Sequence, residues 1–144
     1  MSSLVEFLRD QKRKLARVQE ERDKTLKEWL SRLEQLFTDI ETWLEPAKKE
    51  GLKVERGEVE ISEEYLGTYV APVLVIAFAG TKVRLEPVGR YVIGAFGRVD
   101  VFSPRGVDKL VLLTDGWYLV RGPEQRFPFT QDTFEELLKQ AFSG

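Results

Sequence analysis

A cation and a carboxylate stand two residues apart behind a pair of glycines, where Gly94-Ala-Phe-Gly97 runs into Arg98, Val99 and Asp100. Alternate side chains of a strand share a face, so Arg98 and Asp100 would lie together, beside Phe96 and Phe102. If that face turns into a curved sheet, it offers a charged pair in an apolar wall, and such pairing shifts pKa values and marks sites for ligands or substrates. The plainer origin of the same pattern is a structural ion pair on a solvent-facing sheet, with the glycines serving curvature.

A second cluster is basic. Arg9, Lys12, Arg13, Lys14 and Arg17 are opposed locally only by Asp10, and Arg9, Arg13 and Arg17 repeat at the four-residue spacing that aligns side chains on a helix. Such a row could track phosphates. Glu20, Glu21 and Asp23 follow at once, and no aromatic residue is interleaved to stack on bases. A solvated helix face is the simpler reading.

Other chemistries lack their side chains. The 144 residues contain neither cysteine nor histidine, which removes thiolate nucleophiles, disulfides, zinc sites and the Ser-His-Asp arrangement. Glu86, Asp100 and Asp115 could bind Mg²⁺ but match no ligand spacing. The acidic run Glu58, Glu60, Glu63 and Glu64 reads as a solvated strand edge, and Trp117 and Tyr118 as core. No catalytic residue, cofactor or metal ligand is assigned. A formal net charge of −2 gives no overall attraction to nucleic acid or anionic lipid. Asparagine is absent and Met1 is the only methionine, a composition shared with thermophilic proteins and with some genomic base biases. No signal peptide or membrane-spanning stretch is apparent, so the cytoplasm is the default expectation.

The elements that would position these residues fall in order. Leu4, Leu8, Leu15 and Val18, then Leu26, Trp29, Leu33, Leu36, Phe37, Ile40, Trp43 and Leu44, recur at spacings of three, four or seven. They predict a helix over residues 3–44, within a segment 1–46 that ends at Pro46 and Gly51. Ser3 and Glu6 have capping-box spacing, and so do Thr25 and Glu28, where a break is allowed. The second half, rich in large apolar residues, should pack on the body. The first half should be exposed.

Period-two patterns take over in residues 52–129. Leu52, Val54, Val59 and Ile61 around Gly57 suggest a short hairpin, and residues 73–78 a strand covered on both faces. A strand at residues 82–86 and a turn at residues 87–89 follow. The single phase of Tyr91, Ile93, Ala95, Gly97, Val99 and Val101 favours one long strand from residue 90 to 102, with a tight hairpin across residues 94–97 as the competitor. Thr114-Asp-Gly116 marks another hairpin. Thr130 caps a last helix within residues 130–142, whose buried stripe is Phe134, Leu137, Leu138, Ala141 and Phe142.

The fold class is therefore α+β in one domain, residues 1–144: a long N-terminal helix, a six- to seven-stranded curved antiparallel meander that could close into a partly open barrel, and a short closing helix. A straight helix of this length, about 60 Å, exceeds the diameter of about 40 Å of such a domain. It should project. The preferred function is a non-enzymatic interaction or assembly module, a homo-oligomer or a protein partner being engaged through this helix. Trp29, Leu33, Leu36 and Trp43 serve helix packing, and Arg9, Arg13 and Arg17 are exposed contacts. Arg98 and Asp100 mark the alternative, an enzyme or small-ligand binder, and nucleic-acid binding by the basic helix end is third. No membrane partner is expected.

Overall fold

A computed structural model describes residues 2–92, 94–123 and 125–143. Helix α1 runs unbroken over Ser3–Leu44. The break allowed near residue 24 does not occur, and the cap differs as well: Ser2, not Ser3, is the N-cap, and its side chain makes no capping hydrogen bond. At the other end Pro46 diverts the chain into a 3₁₀ turn, Glu45–Glu50, which Gly51 closes with a φ of 96°. That backbone region favours glycine.

Seven strands follow, β1 (Lys53–Glu63), β2 (Gly67–Phe78), β3 (Thr81–Gly89), β4 (Arg98–Ser103), β5 (Gly106–Leu113), β6 (Gly116–Arg121) and β7 (Gln125–Pro128), then helix α2 (Gln131–Phe142). The strands form one antiparallel sheet in chain order. Its outer strands β1 and β7 are not neighbours, so the sheet is open. Trp29, Leu33, Leu36, Phe37, Ile40 and Leu44 of α1 and Phe134, Leu137, Leu138 and Ala141 of α2 share one core with the inward residues of the sheet. Thr130 caps α2 in a reciprocal box with Thr133, and Phe129 meets Phe134 edge to face.

Two strand expectations fail. Gly57 is no turn: β1 passes through it, and the hairpin turns after Glu63 instead. A Cβ at Gly57 would sit 3.9 Å from Val73, an ordinary contact, so this glycine marks neither a turn nor a close approach. Nor does one strand span residues 90–102. Gly94, with a φ of 79°, turns the chain back through a lone Val92–Ala95 bridge, and β4 begins only at Arg98. The competing hairpin is nearer the truth; Ile93 lies outside the described residues.

The β1–β2 hairpin outruns the sheet. β3 pairs with β2 only from Leu74 to Phe78, so Gly67–Val73 pairs with β1 alone. Two-stranded ribbons twist more strongly than sheets. Burial in β2 accordingly changes phase, from Tyr69, Ala71 and Val73 to Leu74 and Ile76. The twist lays the ribbon along α1, where Arg56 holds Glu41 through two nitrogens (2.6 and 3.0 Å) and Glu34 through a third (3.1 Å).

The β2–β3 turn contains a local strain. Ala79 and Gly80 have φ values of 50° and 84°, as in a type I′ turn, where asparagine is tolerated and alanine is not. Ala79→Asn should raise stability by about 0.5–1 kcal/mol, measured as a higher urea midpoint; a lower one would show that the side chain at this position is otherwise engaged.

Candidate functional site

The residues that a site could use fall in three places. Arg98 and Asp100 are the first. Val99 and Val101 are fully buried, so their neighbours Arg98, Asp100 and Phe102 face out of the sheet. Arg98 clasps Asp100 through two bonds of 2.7 and 3.0 Å, and this carboxylate raises the arginine's pKa against the opposing effect of burial. The pair lines none of the cavities found among the described residues. Glu86 and Lys109 flank Asp100 on the adjacent strands. Within the described residues no three potential metal ligands come together.

The second place is the junction of α1 with the hairpin tip. Trp29 Nε1 donates to the Tyr69 hydroxyl (3.0 Å), which donates to Glu63 (2.5 Å). Glu63 also accepts the backbone N–H groups of Arg90 and Tyr91 at 2.8–3.1 Å. One carboxylate thus substitutes for the strand that residues 90–91 lack, and ties three parts of the chain together. Burial first, and then the bond to Glu63, push the Tyr69 phenol above its ordinary value, although the Trp29 donor acts against them. These contacts latch the tip of the β1–β2 hairpin to α1 and to residues 90–91. Two glycines make room for them. A Cβ at Gly89 would lie 2.8 Å from Glu63, and one at Gly97 would lie 2.3 Å from the Trp29 ring. Spacing gave no sign of this latch, because its members lie far apart in the chain and two of its donors are backbone groups.

The third place is the start of α1. Every residue from Ser2 to Glu21 is exposed except half-buried Gln11, and the first buried residue is Trp29. About 28 Å of helix therefore extends past the body. This arm bears Leu4 (61% exposed), Val5, Phe7, Leu8, Leu15 (68%) and Val18. Of the residues expected to pack the helix, Trp29, Leu33 and Leu36 are spent in the domain's own core, while Trp43 packs on Phe129 and stays half-buried at the edge of a cavity of about 590 Å³ that Phe78 and Phe142 also line. On α1 the exposed apolar residues lie earlier, at Leu4, Leu8, Leu15 and Val18, with Val5 and Phe7 beside them.

Direction matters as much as exposure. Leu8, Leu15, Arg22, Trp29 and Leu36 follow at intervals of seven, a step that drifts only about 20° around a helix. The arm's apolar face therefore points to the side on which the body lies. Arm and body form a notch, and Arg22 stands at its inside corner, over the Tyr65 ring at 5.8 Å. The corner opens into a cleft of about 690 Å³ lined by Arg22, Ser62, Glu63, Glu64, Tyr65 and Tyr91. No described helix is long and apolar enough to cross a membrane. At about 100° per residue, Arg9, Arg13 and Arg17 lie on the opposite face, where Arg13 pairs with Asp10 at 3.2 Å. Comparison with protein-family models, curated proteins and solved structures finds no match to this chain, so its chemistry is read from this geometry.

Proposed function

We propose that this chain is a non-enzymatic assembly module whose N-terminal arm docks a helical protein surface in the notch beside the body. The observation that carries the reading is the arm itself: apolar residues held in water on a helix whose matching face is core from Trp29 onward, about three turns past Val18. Burying a leucine is worth roughly 1.5–3 kcal/mol, so an arm that leaves Leu4, Leu8 and Leu15 exposed gains by pairing. The lack of cysteine and histidine also favours a binding role over a catalytic one. Arg98 and Asp100 line none of the cavities found among the described residues, and Arg9, Arg13 and Arg17 face away from the notch, so the geometry does not favour a ligand at that pair or nucleic acid on that row.

The test is the solution mass of the full-length chain by light scattering over a tenfold concentration range, beside a Leu8→Glu/Leu15→Glu variant. Both substitutions sit on exposed arm positions and should leave folding intact. Association lost in the variant is the expected result. If the variant associates as the parent does, or if both stay monomeric and share every partner, the arm is not the docking element.

A further inference from the structure

We infer that the hollow between the end of α1 and α2 is a binding site for a small organic cation, an ammonium group carrying an apolar body. It lies at the opposite end of α1 from the arm and does not rest on the docking reading. Pro46 ends α1, and the 3₁₀ turn carries the chain on toward β1. Across a gap of about 590 Å³ that turn faces α2, and a gap of this size suits a small molecule. Three aromatic rings from three elements line it: Trp43 of α1, Phe78 of β2 and Phe142 of α2. None of them is fully covered, since Trp43 and Phe142 are half-buried and Phe78 is 39% exposed. All three are braced. Trp43 rests on Phe129 with 5.5 Å between ring centres, and Phe78 tilts 58° against Phe142 at 5.8 Å. Gly51 lies against Phe78, where a Cβ would stand 3.9 Å from the ring. Rings held in place beforehand lose little freedom when a ligand arrives.

Two features set the charge of that ligand. The face of an aromatic ring is negative, and several rings around one space recognise alkylated ammonium groups. The charged side chains that line the hollow are Glu50, Glu135 and Lys139, a net charge of −1. Among the described residues none of the three takes part in an ion pair, and Glu135 accepts from the neutral amide of Gln131 at 2.8 Å. Two carboxylates thus have their charge unspent at the edge of an aromatic space. Lys139 is exposed, and its long stem lets the ammonium turn to water. A cation meets favourable charge from rings and carboxylates together; an anion meets the opposite from both.

The experiment titrates the isotopically labelled full-length chain with three naphthalenes that differ in their head group: naphthylmethylammonium, naphthylmethanol and naphthoate. The indole N–H signal of Trp43, identified with Trp43→Phe, should shift saturably, while those of Trp29 and Trp117, which pack on each other elsewhere, should not. The ammonium should bind about tenfold more tightly than the alcohol, and naphthoate more weakly than either. Glu50→Gln/Glu135→Gln, at positions outside the core, should cut that preference to about threefold and leave the alcohol unchanged. Ala47→Phe, which fills the hollow from a half-buried position on its wall, should abolish binding of all three, with the melting temperature as the check on folding. Leu8→Glu/Leu15→Glu should bind the ammonium as wild type does, so the two proposals fail separately. A Trp43 signal that no probe moves would overturn the site, and naphthoate binding as tightly as the ammonium would overturn the ligand class. A folded Ala47→Phe that loses self-association would show that protein, not a small cation, covers the hollow. Should Ala47→Phe fail to fold, the glutamine variant decides, and an undiminished preference for the ammonium overturns the inference.

Discussion

Gly97→Val should cost the domain about 3 kcal/mol, the upper end of what overpacking a well-filled core does. The position is exposed to no obvious strain by conformation; the constraint is a neighbour. A Cβ would meet Trp29 Cζ3 at 2.3 Å and Cη2 at 2.6 Å. Trp29 has nowhere to move. It is 1% exposed, lies 6.1 Å from Trp117 between ring centres, and is held by the hydrogen bond to Tyr69. Gly97 in turn is pinned, accepting from the Leu112 amide at 2.9 Å while Phe96 donates to the Leu112 carbonyl at 2.7 Å. The expected readout is a melting temperature lower by roughly 10 °C. Adding Trp29→Leu should be far less harmful in the Gly97→Val background than alone, because it removes the ring that the valine strikes; contacting residues are coupled in this way. An unchanged melting temperature for Gly97→Val would refute the close approach.

The second large effect is at Glu63. Glu63→Ala removes the acceptor of two backbone N–H groups and of the Tyr69 hydroxyl together. Stranding a buried donor costs about 1–3 kcal/mol. Arg90 and Tyr91 border open solvent and can recruit water, so a total of about 2–3 kcal/mol is expected. Glu63→Gln should cost about half as much, keeping one oxygen for the amides while turning an N–H₂ toward a hydroxyl already receiving the Trp29 N–H. Alkaline pH probes the same latch. The folded chain holds the Tyr69 phenol protonated above its ordinary pKa of about 10. The stability linked to that proton is complete below about pH 10, and is withdrawn as pH rises toward the folded chain's higher value. Urea midpoints from about pH 8 to 11 should fall at the alkaline end, and in Tyr69→Phe this component of the fall should vanish. Equal slopes in both proteins would show that the phenol does not report on the latch.

Much of the architecture could be read from local pattern. The long stripe ending at Pro46 defines α1, Thr114-Asp-Gly116 defines a hairpin, and Thr130 with Phe129 and Phe134 defines the start of α2. These are regular elements with their signals inside them. What failed was glycine. Gly57 lies in mid-strand, while Gly94 turns the chain, and the residue type alone does not distinguish the two. The shared phase of residues 91–101 misled because Tyr91 belongs to an exposed ring pair with Tyr65, not to the core face of a strand. The projecting arm was legible from helix length against domain diameter. Which of its residues stay free was not, since that depends on where the hairpin tip meets α1.

The order of the strands also settles where the chain spends its entropy. Every strand pairs with its neighbours in the chain, and most are joined by tight turns such as Ala79–Gly80 and Thr114–Asp115, so nearly all of the sheet is built from closures of low contact order. The exception is the stretch from Gly89 to Arg98, which must be gathered between β3 and β4 without a ladder of its own. Two sequence-distant grips fall on that stretch: Glu63 takes its first amides, and Trp29 lies against its last glycine. Contacts distant in sequence thus hold the two described ends of a connection that local pairing leaves open.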